Sequence, residues 1–185
     1  MNDYKNNWFY RMCSKQGAKN IVYIVVGVLL LVVGILLFTA VVSVLNVLLS
    51  IFGILMIVQG ASSMFSKMPK LKELMERMPA DDFSSLGNFP PQQMYYSTFY
   101  CTERYLCAPA SYSLIRYDRI KNMSSYSVTI SRGGQKQYFL NIEFTDGSPA
   151  VDINIKDYGT FLKEADSFMG MIEHYRAELL SEGSY

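Results

Sequence analysis

The chain has 185 residues, with 17 Lys plus Arg against 16 Asp plus Glu, one histidine and three cysteines. A net charge of +1 gives no long-range field for nucleic acid, so the local placement of charge matters more than the total. Cys13, Cys101 and Cys107 are odd in number and lack C-x-x-C spacing, which excludes a disulfide framework or zinc site as a reading of the pattern and leaves reduced cytosolic thiols.

Residues 1–20, MNDYKNNWFYRMCSKQGAKN, mix Trp8, Phe9 and Tyr10 with Lys5, Arg11, Lys15 and Lys19. Aromatic rings and long basic side chains both favour the headgroup region of a bilayer. Two readings fit. One is an amphipathic interfacial segment on an anionic leaflet. The other is a frayed terminus whose lysines only set topology. A signal peptide fits poorly, because the apolar stretch that follows far exceeds the ~7–15 residues such a region needs.

Asn20–Ser66 contains no Asp, Glu, Lys, Arg or His. A single helix of that length would reach roughly 70 Å at about 1.5 Å per residue, against a hydrocarbon core of about 30 Å. The stretch therefore predicts a transmembrane helical hairpin over residues 21–66. Its first helix starts near Ile21, its second ends near Ser63, and its turn falls within Thr39–Asn46. Lys5, Arg11, Lys15 and Lys19 flank one end and Lys67, Lys70, Lys72 and Arg77 the other, while the turn has no charge. The positive-inside rule then puts both termini in the cytoplasm. Gly27 and Gly34 share a helix face, as do Gly53 and Gly60, and Asn46 and Ser50 extend the second stripe. Small residues allow close backbone approach in lipid, so these six mark a seam. It joins the two helices to each other or one subunit to another. No ionisable residue lies within the hairpin, which argues against an ion path.

Residues 67–93 predict an amphipathic helix and a linker. Leu71, Leu74, Met75 and Met78 fall at helical spacing, with Pro69 at the start and Pro79 at the stop. This helix could lie on lipid, pack on the domain or bind a partner. ADDFSSLGNFPPQQ follows as linker, and Asp81 and Asp82 read as linker residues.

Residues 94–185 predict a small α+β domain. Tyr95–Thr102, Arg104–Ala108 and Ser113–Tyr117 are short strands, with only Glu103 to separate the first two. Three more runs alternate at period two: Tyr126, Val128 and Ile130; Tyr138, Leu140, Ile142 and Phe144; Val151, Ile153 and Ile155. Arg132-Gly133-Gly134-Gln135 and Asp146-Gly147 supply their turns. Tyr158–Leu180 is a helix with Phe161, Ala165, Phe168, Ile172, Tyr175 and Leu179 on its apolar stripe and Asp157 or Thr160 as N-cap. The sheet is antiparallel throughout.

No G-x-S-x-G, H-E-x-x-H or P-loop occurs, and His174, the only histidine, has no nucleophile motif beside it. Nothing calls for a catalytic residue, a cofactor or a metal.

The order of elements resembles the pleckstrin-homology-like fold, in which a C-terminal helix plugs one end of a bent antiparallel sheet. A loose T-x-x-x-L then I-x-Y-x-x-I pattern, here Thr102, Leu106, Ile115, Tyr117 and Ile120, is similar to the bacterial membrane-tethered versions. The likeness covers about residues 94–180. It implies an adaptor or interaction module on the cytoplasmic face of the bacterial plasma (inner) membrane, with the bilayer and a protein partner or second copy as partners. Phosphoinositide-binding members of the wider fold use a basic cluster in the first hairpin. Thr102-Glu103-Arg104 sets one Arg beside one Glu there. An accessory subunit of a transporter or membrane enzyme, and a membrane-surface lipid sensor using Trp8, Lys15 and Lys19, are the alternative readings.

Overall fold

In a computed structural model, the described residues are 3–40, 44–87, 89–129 and 136–182. They form two compact units: Asp3–Lys5 with Tyr10–Arg77, and Asn6–Phe9 with Met78 onward.

The first unit is helical. Helix α1 runs from Trp8 to Ala40 and α2 from Val44 to Ser62. Both are long and apolar enough to cross a membrane. The start expected near Ile21 is corrected: helix is continuous from Trp8, because Arg11, Met12, Lys15, Gln16 and Ala18 are good helix formers and no proline intervenes. Residue 20 is therefore not a boundary of secondary structure. The turn expected within Thr39–Asn46 involves residues 41–43, which lie outside those described. After α2, a π-helical stretch, Ser63–Lys67, leads directly into α3, Met68–Arg77. Pro69 thus sits inside a helical run rather than at its start. It has no N–H for the carbonyl of Phe65, and a widened turn relieves that mismatch. Leu71 and Met75 are buried.

The second unit begins with a correction. The expected linker contains a six-residue helix, α4, Ala80–Ser85. Then come β1 (Tyr100–Cys101), β2 (Tyr105–Ala108) and β3 (Ser113–Arg116), which form one antiparallel sheet in that order. β1 is shorter than expected because Tyr96 and Ser97 take positive φ, both 51°, in a tight turn. The Tyr95 carbonyl accepts from the Thr98 and Phe99 N–H groups there. Thr102 separates β1 from β2, its Oγ1 accepting from the Tyr105 N–H at 3.0 Å.

β4 (Ile120–Thr129), β5 (Lys136–Phe144) and β6 (Val151–Asn154) form a second antiparallel sheet, again in chain order. Among the described residues, six strands thus make two sheets of three. The Arg132–Gln135 turn lies outside the described residues. Gly147 takes φ 72° between β5 and β6, a conformation that costs glycine little. Helix α5, Tyr158–Glu182, closes the unit. Asp157 caps it, with Oδ1 accepting from the Thr160 N–H at 3.2 Å.

The core gathers Phe99, Leu106, Ile115 and Tyr117 from the first sheet and its flanks, Leu140, Ile142 and Ile153 from the second, and Phe161, Phe168, Ile172 and Leu179 from α5. The apolar phase of β4 faces away from the core. Ser125 lies opposite Leu140 and Tyr126 opposite Phe139. Tyr126 and Val128 therefore point away from Leu140 and Ile142, and both are exposed.

Candidate functional site

Three arrangements stand out, and the first is the small-residue seam of the hairpin. A Cβ built on Gly27 would lie 2.7 Å from the Gly53 carbonyl oxygen, and one on Gly53 would lie 2.6 Å from the Gly27 carbonyl oxygen. Gly34 faces Ser50 and the Asn46 carbonyl, while Gly60 faces the Asn20 carbonyl at 2.7 Å and Ile24. The Ser50 hydroxyl donates to the Asn46 carbonyl at 3.0 Å, and Asn46 is buried. All six expected residues thus lie on one seam between α1 and α2. Such approach lets backbone and small side chains of the two helices meet directly. The remaining faces of both helices expose Ile, Val, Leu and Phe, as at Leu36, which is 63 % exposed.

The second arrangement is polar, and the sequence did not reveal it. Asp82 on α4 is only 4 % exposed. Its Oδ1 accepts from Arg104 Nη1 and its Oδ2 from Arg116 Nη1, both at 3.0 Å. Arg104 also reaches Glu182 at 3.3 Å, and Arg116 Nε lies 3.2 Å from Asp118. One carboxylate thus fixes α4 against the turn before β2 and the end of β3. Burial pushes the Tyr105 phenol up, and the neighbouring Asp82 carboxylate adds to the shift. This cluster can hold a segment in place, because every charge in it is spent on another charge of the chain.

The third covers the outer face of the first sheet. Trp8 is 4 % exposed, its indole N–H donates to the Leu86 carbonyl at 2.7 Å, and its ring meets Tyr100 edge-on at 5.3 Å. Asn7 and Phe9 are buried as well. The aromatic start of the chain spends these side chains on protein contacts. A lone Trp among lysines reads as interfacial, and only the distant Leu86 carbonyl shows otherwise.

On the core side, Tyr117 donates to the Thr102 carbonyl at 3.1 Å and stacks on Tyr175. Burial, then the nearby Cys101 thiol, push the Tyr117 phenol up. Burial pushes the Cys101 thiol up to about 12. Cys101 pairs with Leu106 and Cys107 with Tyr100, so the two thiols occupy opposite faces of the sheet. His174 is exposed, with Nε2 3.3 Å from Glu178 on the same helix. Set against known protein families, curated proteins and solved structures, the chain matches none.

Proposed function

We propose that this chain is a bacterial plasma-membrane protein with two spans and cytoplasmic termini, whose second unit is a pleckstrin-homology-like interaction module acting as an adaptor or scaffold rather than an enzyme. The observation that carries the reading is the contrast within the hairpin. Its helices meet along Gly27, Gly34, Gly53 and Gly60, while their other faces present Val22, Leu29, Leu36, Leu48, Phe52 and Leu55 outward. An apolar surface of that extent is untenable in water and natural in lipid. Lys67 and Lys70 beside the exposed Phe65 suit the cytoplasmic headgroup region. Two antiparallel three-stranded sheets and a C-terminal helix support the pleckstrin-like reading of the module.

The lipid-sensor alternative loses ground, because Trp8, Leu71 and Met75 are buried. The test has two parts. Alkaline carbonate washing should leave the chain in membranes, and protease added to sealed inverted vesicles should digest the part beyond Met78. Extraction by carbonate overturns the anchor, and a protected second unit overturns the orientation. Purification in mild detergent should then recover a second copy or a protein partner. A larger membrane enzyme or transporter bound in stoichiometric amount would make the chain an accessory subunit.

A further inference from the structure

Helix α1 carries three cations, Arg11, Lys15 and Lys19, and no Asp or Glu from Trp8 to Ala40. All three are exposed. Among the described residues, none of them enters an ion pair. By contrast, Lys72 and Arg77 of α3 pair with Glu76 at 3.8 Å and Glu73 at 3.0 Å. The α1 cations follow one another at intervals of four residues. At about 100° per residue they fall within roughly 80° of arc, on one face of the helix.

That face does not end with the charges. α1 is a single helix, and Val22, Leu29 and Val33 lie within the same arc. Val22 is 60 % and Leu29 59 % exposed, so this is a face that the span turns outward. What covers Val22 and Leu29 decides what covers the cations. A helix that offers acyl chains one stretch of a face offers the headgroups of the same lipids the stretch before it. Lys19 stands two residues before Ile21, where the apolar run begins. Lys15 lies about 6 Å further along the axis and Arg11 about 12 Å further. The headgroup layer is roughly 5–8 Å deep on each side of the hydrocarbon, and long basic side chains extend along a helix to reach it.

We infer that Arg11, Lys15 and Lys19 form a basic ladder for the phosphates of anionic phospholipids, in the leaflet through which α1 enters the bilayer. This rests on the reading of the hairpin as a membrane anchor. Topology alone calls for basic residues on one side of the membrane. It does not call for them to be unpaired, aligned and continuous with the lipid-facing surface of the span. Charge selects the occupant. Three cations with no carboxylate beside them attract lipids of net negative headgroup, whereas a zwitterionic headgroup brings a cation of its own. The burial of Trp8 leaves the ladder intact, because it uses no aromatic ring.

The test is electron paramagnetic resonance of the full chain in phosphatidylcholine bilayers, with spin-labelled phosphatidylglycerol or phosphatidylcholine as the probe. The fraction of probe immobilised at the protein surface gives an association constant for each lipid. Phosphatidylglycerol should exceed phosphatidylcholine several-fold, and the excess should shrink at high salt. Lys15→Gln should lower the ratio, and Arg11→Gln, Lys15→Gln and Lys19→Gln together should bring it near one. Lys15→Arg with Lys19→Arg keeps the charge and should keep the ratio. Lys163→Gln, which removes an exposed charge from α5, should leave it unchanged. Equal association of the two probes, or a ratio that survives the triple substitution, overturns the ladder. A ratio lowered as much by Lys163→Gln as by Lys15→Gln also overturns it, because net charge then accounts for the effect. A chain that immobilises neither probe is not in the bilayer, and that result overturns the anchor reading itself and the ladder with it.

Discussion

Gly27 and Gly53 approach each other reciprocally, each leaving room for the other's carbonyl oxygen. Backbone lies on both sides of that contact, so neither partner can rotate away from an added side chain. Gly27→Val or Gly53→Val should therefore separate the helices and destabilise the hairpin by about 1–3 kcal/mol, the usual cost of overpacking. Gly34→Ala should cost less, because its nearest neighbour is the Ser50 hydroxyl, which can turn aside. Gly170→Ala is the control: it adds a methyl in open space on α5 and should stabilise by about 0.5–1 kcal/mol. Thermal unfolding in mild detergent would measure all four. Equal losses at Gly27 and Gly170 would sink the seam.

Asp82 is held between two guanidinium groups and is nearly inaccessible. Removing it leaves Arg104 and Arg116 facing each other without their shared carboxylate. Asp82→Ala should cost about 3 kcal/mol, the low end for a broken buried pair, since both arginines keep some solvent. Arg104→Ala should cost less, because Arg116 still holds the carboxylate. Denaturant titration of the full chain would rank the two. A neutral Asp82→Ala would show that α4 docks by apolar contact alone.

The two long apolar helices were legible because 47 consecutive residues without charge leave few structures open. The glycine seam was legible too, since spacings of seven repeat on both helices. Helix α4 was not, because six residues carry little periodicity and Asp82 finds its partners 22 and 34 residues away. The alternation of β4 was read, but alternation does not say which face meets the core. Opposite Leu140 stands Ser125, a small polar residue that gives no hydrophobic cue.

Trp8 discriminates the two readings of the chain's start. Its indole N–H is satisfied by Leu86 and its ring is packed on Tyr100. As the only tryptophan, it reports without ambiguity. In lipid bilayers its fluorescence should resist quenching by nitroxide-labelled headgroups, where an interfacial ring would be strongly quenched. Trp8→Phe keeps the ring but loses the hydrogen bond, and should cost about 1 kcal/mol. Strong headgroup quenching would return Trp8 to the membrane surface.

Cys101 is stable as a thiol and costly as a thiolate. Burial raises it from 9.0 to about 12, and burial, then the Glu164 carboxylate, raise Tyr96 from 10.0 to about 12. Both groups bind their protons more tightly folded than unfolded. Their stabilisation is complete below pH 9 and is lost as pH rises toward 12, because only the unfolded chain releases those protons readily. Stability measured by denaturant titration should therefore fall steadily above pH 9. At pH 8, maleimide should label Cys101 slowly in the folded chain and quickly after unfolding, since the thiolate is the reactive form. Cys101→Ala should flatten part of the alkaline decline. Rapid labelling at pH 8, with flat stability to pH 11, would mean that water reaches Cys101 and that its wall of Tyr117 and Leu106 opens.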